Sequence, residues 1–351
     1  MKDYLIVGFG LAGLSMASVL ERRSHSFEVI DTPSNVDHRV VGGMFNPIIL
    51  KRFSPAWRAH DMWLQSKQTY QYFENKFQQK FILPFTILRI LHSVEEQNNW
   101  IVASDKAVMK DYMTTPIFFD SIDGIEAPFG FGKMKNVGRV AGEEILENYQ
   151  HDLKERQLLI QEKFDYNALK INENDVEYKG RKFKKVVFAE GSYVVNNPYF
   201  NYLPMKVSKG EMLIIHVPGL KLEATIKSKV FMVPVGNNLY IVGSTYHWDD
   251  PTNLLTVQGK EELETKLKTF LKLPYQVMDY RSGIRPTVSD RRPLIGQHPQ
   301  YKALYVLNGL GTRGIIYAPA LAENLYDYLE KEKPIDKEMS IERFENLYMN
   351  A

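Results

Sequence analysis

Three glycines, an aspartate and two arginines are the residues of this sequence whose types and spacing could do chemistry. Gly8-Phe9-Gly10-Leu11-Ala12-Gly13 follows directly on the apolar run Tyr4–Val7, and Asp31 closes a second apolar run, Phe27–Ile30, 18 residues beyond Gly13. Glycines at these intervals suit a bound dinucleotide. The first makes a tight turn, the second lets the backbone approach a pyrophosphate, and the third lets a helix pack closely on a strand. The helix start then presents free N–H groups and a positive dipole end to the phosphates. An acid at the end of the second strand accepts hydrogen bonds from a ribose and repels a 2′-phosphate. NAD and FAD both satisfy this pattern, whereas FMN, without the pyrophosphate-linked adenosine, is disfavoured.

Two further motifs lie near the C-terminus. Gly283-Ile284-Arg285-Pro286-Thr287 is the first, and Asn308-Gly309-Leu310-Gly311-Thr312-Arg313-Gly314 is the second. A glycine loop that opens the helical pattern Ile315–Leu329 makes another positive helix N-terminus, suited to stabilising a developing anion. By residue type alone, Arg285 and Arg313 read equally well as solvated surface charges and the glycines as plain turns.

The elements that must position these residues follow from periodicity. The run Tyr4–Val7 reads as a strand, the pattern through Leu14, Ala17 and Leu20 as a helix, and Phe27–Ile30 as a strand. From Trp57 to Gln79, Trp63, Tyr70, Phe73 and Phe77 recur at helical spacing, which predicts a core-facing aromatic stripe rather than a cofactor box. Phe81–Leu91 and Trp100–Ala103 read as strands, Thr114–Lys133 as a loop-rich surface segment, Gly142–Leu158 as a helix and Leu159–Phe164 as a strand. Lys185–Ala189 is a buried-type strand. Met212–His216, Val230–Val235 and Leu239–Gly243 read as antiparallel strands, with a hairpin turn at Gly236-Asn237-Asn238. Lys260–Leu273 reads as a helix and Ala303–Leu307 as a strand. Strand-rich blocks therefore interrupt a βαβ pattern. This predicts a discontinuous protein with one α/β domain built from three pieces and a sheet domain built from two.

Composition narrows the chemistry. The 351 residues suffice for two sizeable cores, and 44 basic against 42 acidic side chains give a net charge of only +2, so there is no general electrostatic case for nucleic acid or anionic lipid. Cysteine is absent, which excludes disulfides, thiolate metal ligands, a cysteine nucleophile and a cysteine-linked flavin. The eight histidines show no ligand-like spacing and read as structural or surface groups, so no metal site is expected. The apolar run Ile6–Leu20 is shorter than the roughly 20 residues of a membrane span and is broken by the glycines, with Asp3 ahead of it. The chain reads as soluble and cytoplasmic.

At these motifs the sequence resembles the D-amino-acid-oxidase-like (DAO) family of FAD-dependent amine oxidoreductases, which includes glycine oxidase and sarcosine oxidase. Gly8, Gly10, Gly13 and Asp31 resemble the family's FAD pyrophosphate and ribose site. Gly42-Gly43-Met44-Phe45-Asn46-Pro47 is similar to the segment that runs beside the isoalloxazine ring. Val187-Phe188-Ala189-Glu190-Gly191 resembles the second flavin-binding strand, with Glu190 standing where Thr or Ala is usual. Lys209-Gly210-Glu211 and Gly243-Ser244-Thr245 look like parts of the substrate-domain sheet.

The resemblance implies a DAO-like α/β fold. A discontinuous Rossmann-like FAD-binding domain would comprise residues 1–80, 137–206 and 282–351, and an antiparallel-sheet substrate domain residues 81–136 and 207–281. It implies FAD, expected to be noncovalent because cysteine is absent and His38 does not align with the histidine that carries flavin in some relatives, held by Gly8, Phe9, Gly10, Leu11, Ala12, Gly13, Asp31, Thr32, Gly42, Gly43, Met44, Asn46, Phe164, Ala189, Glu190, Gly191, Arg285, Gly309, Gly311, Thr312, Arg313, Gly314 and Ile315. Arg285 and Arg313 would be catalytic, and Arg285, Phe231, Tyr246 and Arg313 would meet the substrate. Phe231 stands where glycine oxidase has a carboxylate-binding tyrosine, and Thr312 where it has an arginine. The implied reaction moves hydride from the α-carbon of a small amino acid or secondary amine to flavin N5. The resulting imine hydrolyses, and O2 or another acceptor takes the electrons. An alternative rests on Leu310-Gly311-Thr312-Arg313-Gly314 with Ala318-Pro319, which is similar to the oxidoreductase domain of the bifunctional enzyme that modifies the tRNA wobble uridine. The same C–N oxidation would then act on a tRNA side chain. The low net charge and the absence of a fused methyltransferase domain weigh against that reading.

Overall fold

The structure, a computed structural model, describes residues 1–33, 43–248 and 250–349. Two sheets organise it. In the first, the strands Leu159–Gln161, Phe27–Asp31, Lys2–Val7, Arg181–Phe188 and Leu304–Asn308 lie side by side and all pair parallel. A parallel sheet needs cover on both faces, and alternate residues of its strands divide accordingly. Ile6, Val29, Val187 and Leu307 face a layer of helices, and Leu5, Val7, Ile30, Val186, Phe188 and Val306 face the opposite core. The helices are Leu11–Arg22, Ala59–Phe77, Gly142–Glu155 and Gly314–Lys331. An antiparallel meander, Leu169–Ile171 and Val176–Tyr178, extends one edge through Arg181–Phe188, and Leu294–Gln297 pairs antiparallel with Leu304–Asn308.

The second sheet runs in the order Gln276–Arg285, Ser208–His216, Leu239–Gly243, Phe231–Gly236, Thr225–Lys227, Ile82–Ile90, Phe131–Val140, Met44–Phe45. It is antiparallel except where Thr225–Lys227 meets Ile82–Ile90. One face buries Leu213, Ile215, Met232, Tyr240 and Val242 against Leu263 and Leu267 of the helix Val257–Lys268. With a side-chain period of two, the residues between these face the other way. Those are Ser208, Gly210, Met212, Phe231, Val233, Ile241, Gly243, Gly283 and Arg285, and they form one wall of a large cleft. The strands Phe131–Val140 and Gln276–Arg285 run continuously through positions 137 and 282.

The aromatic stripe is core, as its spacing predicts. Trp63, Tyr70 and Phe73 are buried, and Trp63 stacks on Phe45 with ring centroids 3.9 Å apart. Two expectations are corrected. Trp100–Ala103 is not a strand but part of the helix Val94–Ser104. Its start is a capping arrangement: Ser93 Oγ accepts from Glu96 N–H at 3.1 Å, and the Glu96 carboxylate accepts from His92 N–H at 2.9 Å. The segment Thr114–Lys133 is not all loop, because Met113–Phe118 forms a strand and Phe131–Val140 begins within it. Pro116 is tolerated there because its strand pairs on one side only. Among the described residues no helix is long and apolar enough to cross a membrane.

Candidate functional site

The strand Lys2–Val7 ends in a turn that only glycine fits. Gly8 has φ +98°, and a Cβ there would lie 2.6 Å from the carbonyl oxygen of Ala189. Gly13 has no room either, since its Cβ would lie 1.9 Å from Gly8 O. It sits behind the cleft wall and lets the helix Leu11–Arg22 close on the strand. Gly10 has open space beyond it and faces the cleft. This helix starts with no side-chain cap and no acid in its first turn, so its leading N–H groups and positive end point outward. Asp31, at the tip of the neighbouring strand, accepts from Phe9 N–H at 3.1 Å.

The cleft continues past Ala189, Glu190 and Gly191 and past Phe164, which stacks on Tyr178. Glu190 is accounted for by its partners: the Tyr166 hydroxyl donates to one carboxylate oxygen and Asn197 Nδ2 to the other, the latter at 2.6 Å. Burial pushes its carboxyl up to about 7, against the pull of those two donors. Thr32, Gly43, Met44 and Asn46 also line it. Gly42 lies outside the described residues.

The loop Gly309–Arg313 leads into the helix Gly314–Lys331, whose first residues, Gly314 and Ile315, also face the cleft with Gly309, Gly311 and Thr312. Pro319 inside this helix cannot donate to Ile315 O. The deficit is met from the helix Ala59–Phe77: Tyr70 Oη donates to Ile315 O at 2.7 Å and Ser66 Oγ donates to Ile316 O at 2.6 Å. The start of the C-terminal helix is thus fixed by two buried side chains one turn apart. Arg313, at its N-cap, lines the cleft and meets no carboxylate among the described residues.

Arg285 comes from the sheet wall. Its Nη1 donates to Lys209 O at 3.1 Å, and its Nη2 donates to Ser244 Oγ at 2.6 Å and Thr245 O at 3.1 Å. Its guanidinium carbon lies 4.2 Å from the ring centroid of Tyr246. A Cβ on Gly210 would lie 1.8 Å from Nη2, so the glycine is the seat of the guanidinium. Every oxygen it meets is neutral. Asp290, the acid nearest in sequence, pairs instead with Arg343 at 2.9 Å. Burial works against the Arg285 charge, with only Tyr246 acting in its favour. A guanidinium withdrawn from water without a counter-ion, with donors left over, is built to receive an anion.

The cleft is about 1680 Å³, well above the roughly 300–1,000 Å³ of an ordinary small-molecule pocket. All the cofactor and substrate candidates among the described residues line it except Gly13. Its glycine turn, outward helix start, Asp31 and second glycine loop fit a dinucleotide with a ring system at the far end, and its volume leaves space for a substrate beside it. Sequence reasoning left unassigned Lys209 O, Gly210, Ser244 and Thr245 as the seat of Arg285. The signal is a register one, because Ser208 lies opposite Arg285 and Gly210 opposite Gly283.

Comparison with known proteins agrees. The DAO family, described as FAD dependent oxidoreductase, matches over residues 3–328. Among curated relatives, glycine oxidase of Bacillus licheniformis is 30% identical over 124 residues, 34% of each chain. The tRNA 5-methylaminomethyl-2-thiouridine biosynthesis bifunctional protein MnmC of Azoarcus sp. is 24% identical over 175 residues, 44% of this chain and 28% of that one. The matched stretches thus span about a third or less of those relatives' lengths. The fold of glycine oxidase from Geobacillus kaustophilus superposes with a TM-score of 0.79 over 95% of both chains, at 18% identity. With the match running almost from end to end and the dinucleotide cleft in place, the chain belongs to the DAO family of FAD-dependent oxidoreductases.

Proposed function

We propose that this protein oxidises a small amino acid or secondary amine that carries a carboxylate. The observation that carries this reading is Arg285, whose guanidinium is seated on Gly210 among neutral oxygens with no acid beside it. A carboxylate there would receive parallel N–H donors that fix direction as well as charge. When bound, FAD supplies a two-electron acceptor, so the α-carbon loses hydride and the imine formed hydrolyses. Arg285 holds the carboxylate so that the α C–H faces the cofactor, and Tyr246 and Phe231 line the same wall. Arg313 and the N–H groups of the Gly311–Gly314 loop supply positive potential where negative charge accumulates. The cofactor is held without a covalent bond. The pieces 1–80, 137–206 and 282–351 serve FAD, and 81–136 and 207–281 serve the substrate.

The test is anaerobic mixing of the yellow holoenzyme with a panel of amines and amino acids, following loss of flavin absorbance, for the native protein and Arg285→Lys. A carboxylated amine should bleach the native flavin. The lysine variant keeps the charge and the flavin but loses the fork, so KM for that substrate should rise at least tenfold. An unaltered KM and kcat in Arg285→Lys would remove Arg285 from this role. A second reading, oxidation of a tRNA side chain, is supported by the similarity to MnmC. Tight, salt-sensitive retention of bulk tRNA in a filter assay would favour it over the first.

A further inference from the structure

The sheet wall that carries Arg285 at one end carries a second cationic group at the other. Lys227 lies opposite Phe231 in register, Phe231 opposite Gly243, and Gly243 opposite Met212, on the strand whose Ser208 lies opposite Arg285. Lys227 and Arg285 therefore stand on the outer two of five adjacent strands. Four inter-strand spacings of about 4.8 Å separate those strands by roughly 19 Å, and both side chains reach into the same cleft.

Lys227 is half-buried, with its ammonium 4.6 Å from the Phe231 ring centroid and one N–H given to Ser228 O at 2.7 Å. Lys51, Lys229 and Lys266 line the cleft with it. Lys266 pairs with Glu262 and the nearby Arg89 with Glu96, but among the described residues no carboxylate pairs with Lys51, Lys227 or Lys229. Burial, and then Arg89, Lys266 and Lys51, push the Lys227 ammonium down to about 8. Lys51 and Lys229 are exposed, so the cost falls on Lys227: a cation partly withdrawn from water beside like charges costs stability unless an anion joins it. A carboxylate no larger than that of glycine, held at Arg285, leaves this group untouched.

We propose that Lys227, with Lys51 and Lys229 beside it, forms a second anion subsite that takes a carboxylate or phosphate borne on the far end of the substrate's amine substituent. The substrate is then an extended dianion, anchored at Arg285 by one acid and at Lys227 by the other, with the reacting C–N bond between. This rests on the assignment of Arg285 to a carboxylate. The shared chemistry is an oxyanion, supplied either by a free small molecule or by the phosphodiester backbone of a polynucleotide.

The experiment uses FAD-loaded protein, so that the cofactor's own phosphate cradle is filled. Calorimetric titration with inorganic tripolyphosphate at fixed ionic strength should show binding that weakens at least tenfold in Lys227→Gln and returns in Lys227→Arg. Equal affinity in the native protein and Lys227→Gln overturns the subsite. In parallel, N-alkylglycines with and without a terminal carboxylate are compared at equal chain length by anaerobic flavin bleaching. The charged series should have the lower KM, and the ratio between the series should fall at least tenfold in Lys227→Gln; an unchanged ratio also overturns the proposal. If tripolyphosphate binding depends on Lys227 but no N-alkylglycine bleaches the flavin, the Arg285 assignment fails while the subsite stands. Bulk tRNA binding that falls with Lys227→Gln assigns the oxyanion to a polynucleotide, and tRNA binding that does not fall, beside a loss of tripolyphosphate, assigns it to a small molecule.

Discussion

Arg285 and Arg89 are both drawn away from water, yet Arg89 has Glu96 at 3.1 Å and Arg285 has neutral oxygens alone. That contrast separates a structural arginine from one that awaits a ligand. The seat matters as much as the charge, because Gly210 leaves no space for a Cβ under the guanidinium. Gly210→Ala should move the flexible end of Arg285 rather than break the sheet. Displacement of a positioning group by about 1 Å can cost roughly a hundredfold in rate. For carboxylated substrates we therefore expect kcat/KM to fall between about ten- and a hundredfold, with bound FAD retained. Steady-state kinetics on the holoenzyme decide it, and an unchanged kcat/KM would show that Gly210 does not set the guanidinium. The N-terminal glycine loop is legible from its spacing, whereas residue type alone leaves Arg285 and Arg313 equally readable as surface charges, and only the family resemblance singles them out. The role of Gly210 was not, since it depends on which residue the neighbouring strand places opposite.

At the scale of elements, what was readable depended on how strong the periodicity was. The helix Ala59–Phe77 and the first βαβ unit follow directly from their patterns, whereas around Trp100 the short apolar run Trp100–Ala103 mimics a strand and the helix Val94–Ser104 announces itself only through its Ser93–Glu96 cap. The turn between Leu294–Gln297 and Leu304–Asn308 holds a feature that no pattern displays. His298 Nδ1 accepts from the N–H groups of both Gln300 and Tyr301 at 3.1 Å, inside a cage that includes Tyr199, Phe200 and Tyr348. Protonation at Nδ1 would break both bonds, and burial pushes the imidazole down to about 4. A base whose folded pKa is depressed lends stability above its unfolded value of 6.5, and loses it as pH falls toward 4. A shift of that size corresponds to on the order of 3 kcal/mol. Thermal melts from pH 7 to pH 4 should fall more steeply in the native protein than in His298→Asn, whose Oδ1 still accepts from the turn. Parallel slopes would show that His298 is not the titrating group.

For the molecule as a whole, the decisive fact is where the chain pieces meet. The cleft takes Gly8–Ala12 and Asp31 from the first piece, Ala189–Gly191 from the middle and Gly309–Ile315 from the end, at the tips of four strands of one parallel sheet. A parallel sheet with interrupting antiparallel blocks was legible in the order of apolar runs, because crossovers leave strand and helix patterns alternating. Which face of the second sheet turns to the cleft was not legible, since period-two patterning says that two faces differ but not what each one meets. A ligand spanning all three pieces binds the folded chain alone, and should raise stability by about 2.7 kcal/mol at a hundred times its dissociation constant. FAD stripped from the protein and added back should therefore raise the melting temperature in proportion to the logarithm of its concentration, by a few degrees in total. In the proposed reading the cradle built by Gly8, Gly10 and the helix Leu11–Arg22, with Asp31 beside it, takes the pyrophosphate and the adenosine ribose. ADP alone should thus reproduce a substantial part of the shift, and FMN much less. Scanning calorimetry of the stripped protein with each ligand makes the comparison, and a shift from FMN as large as that from FAD would show that the N-terminal cradle does not hold the dinucleotide.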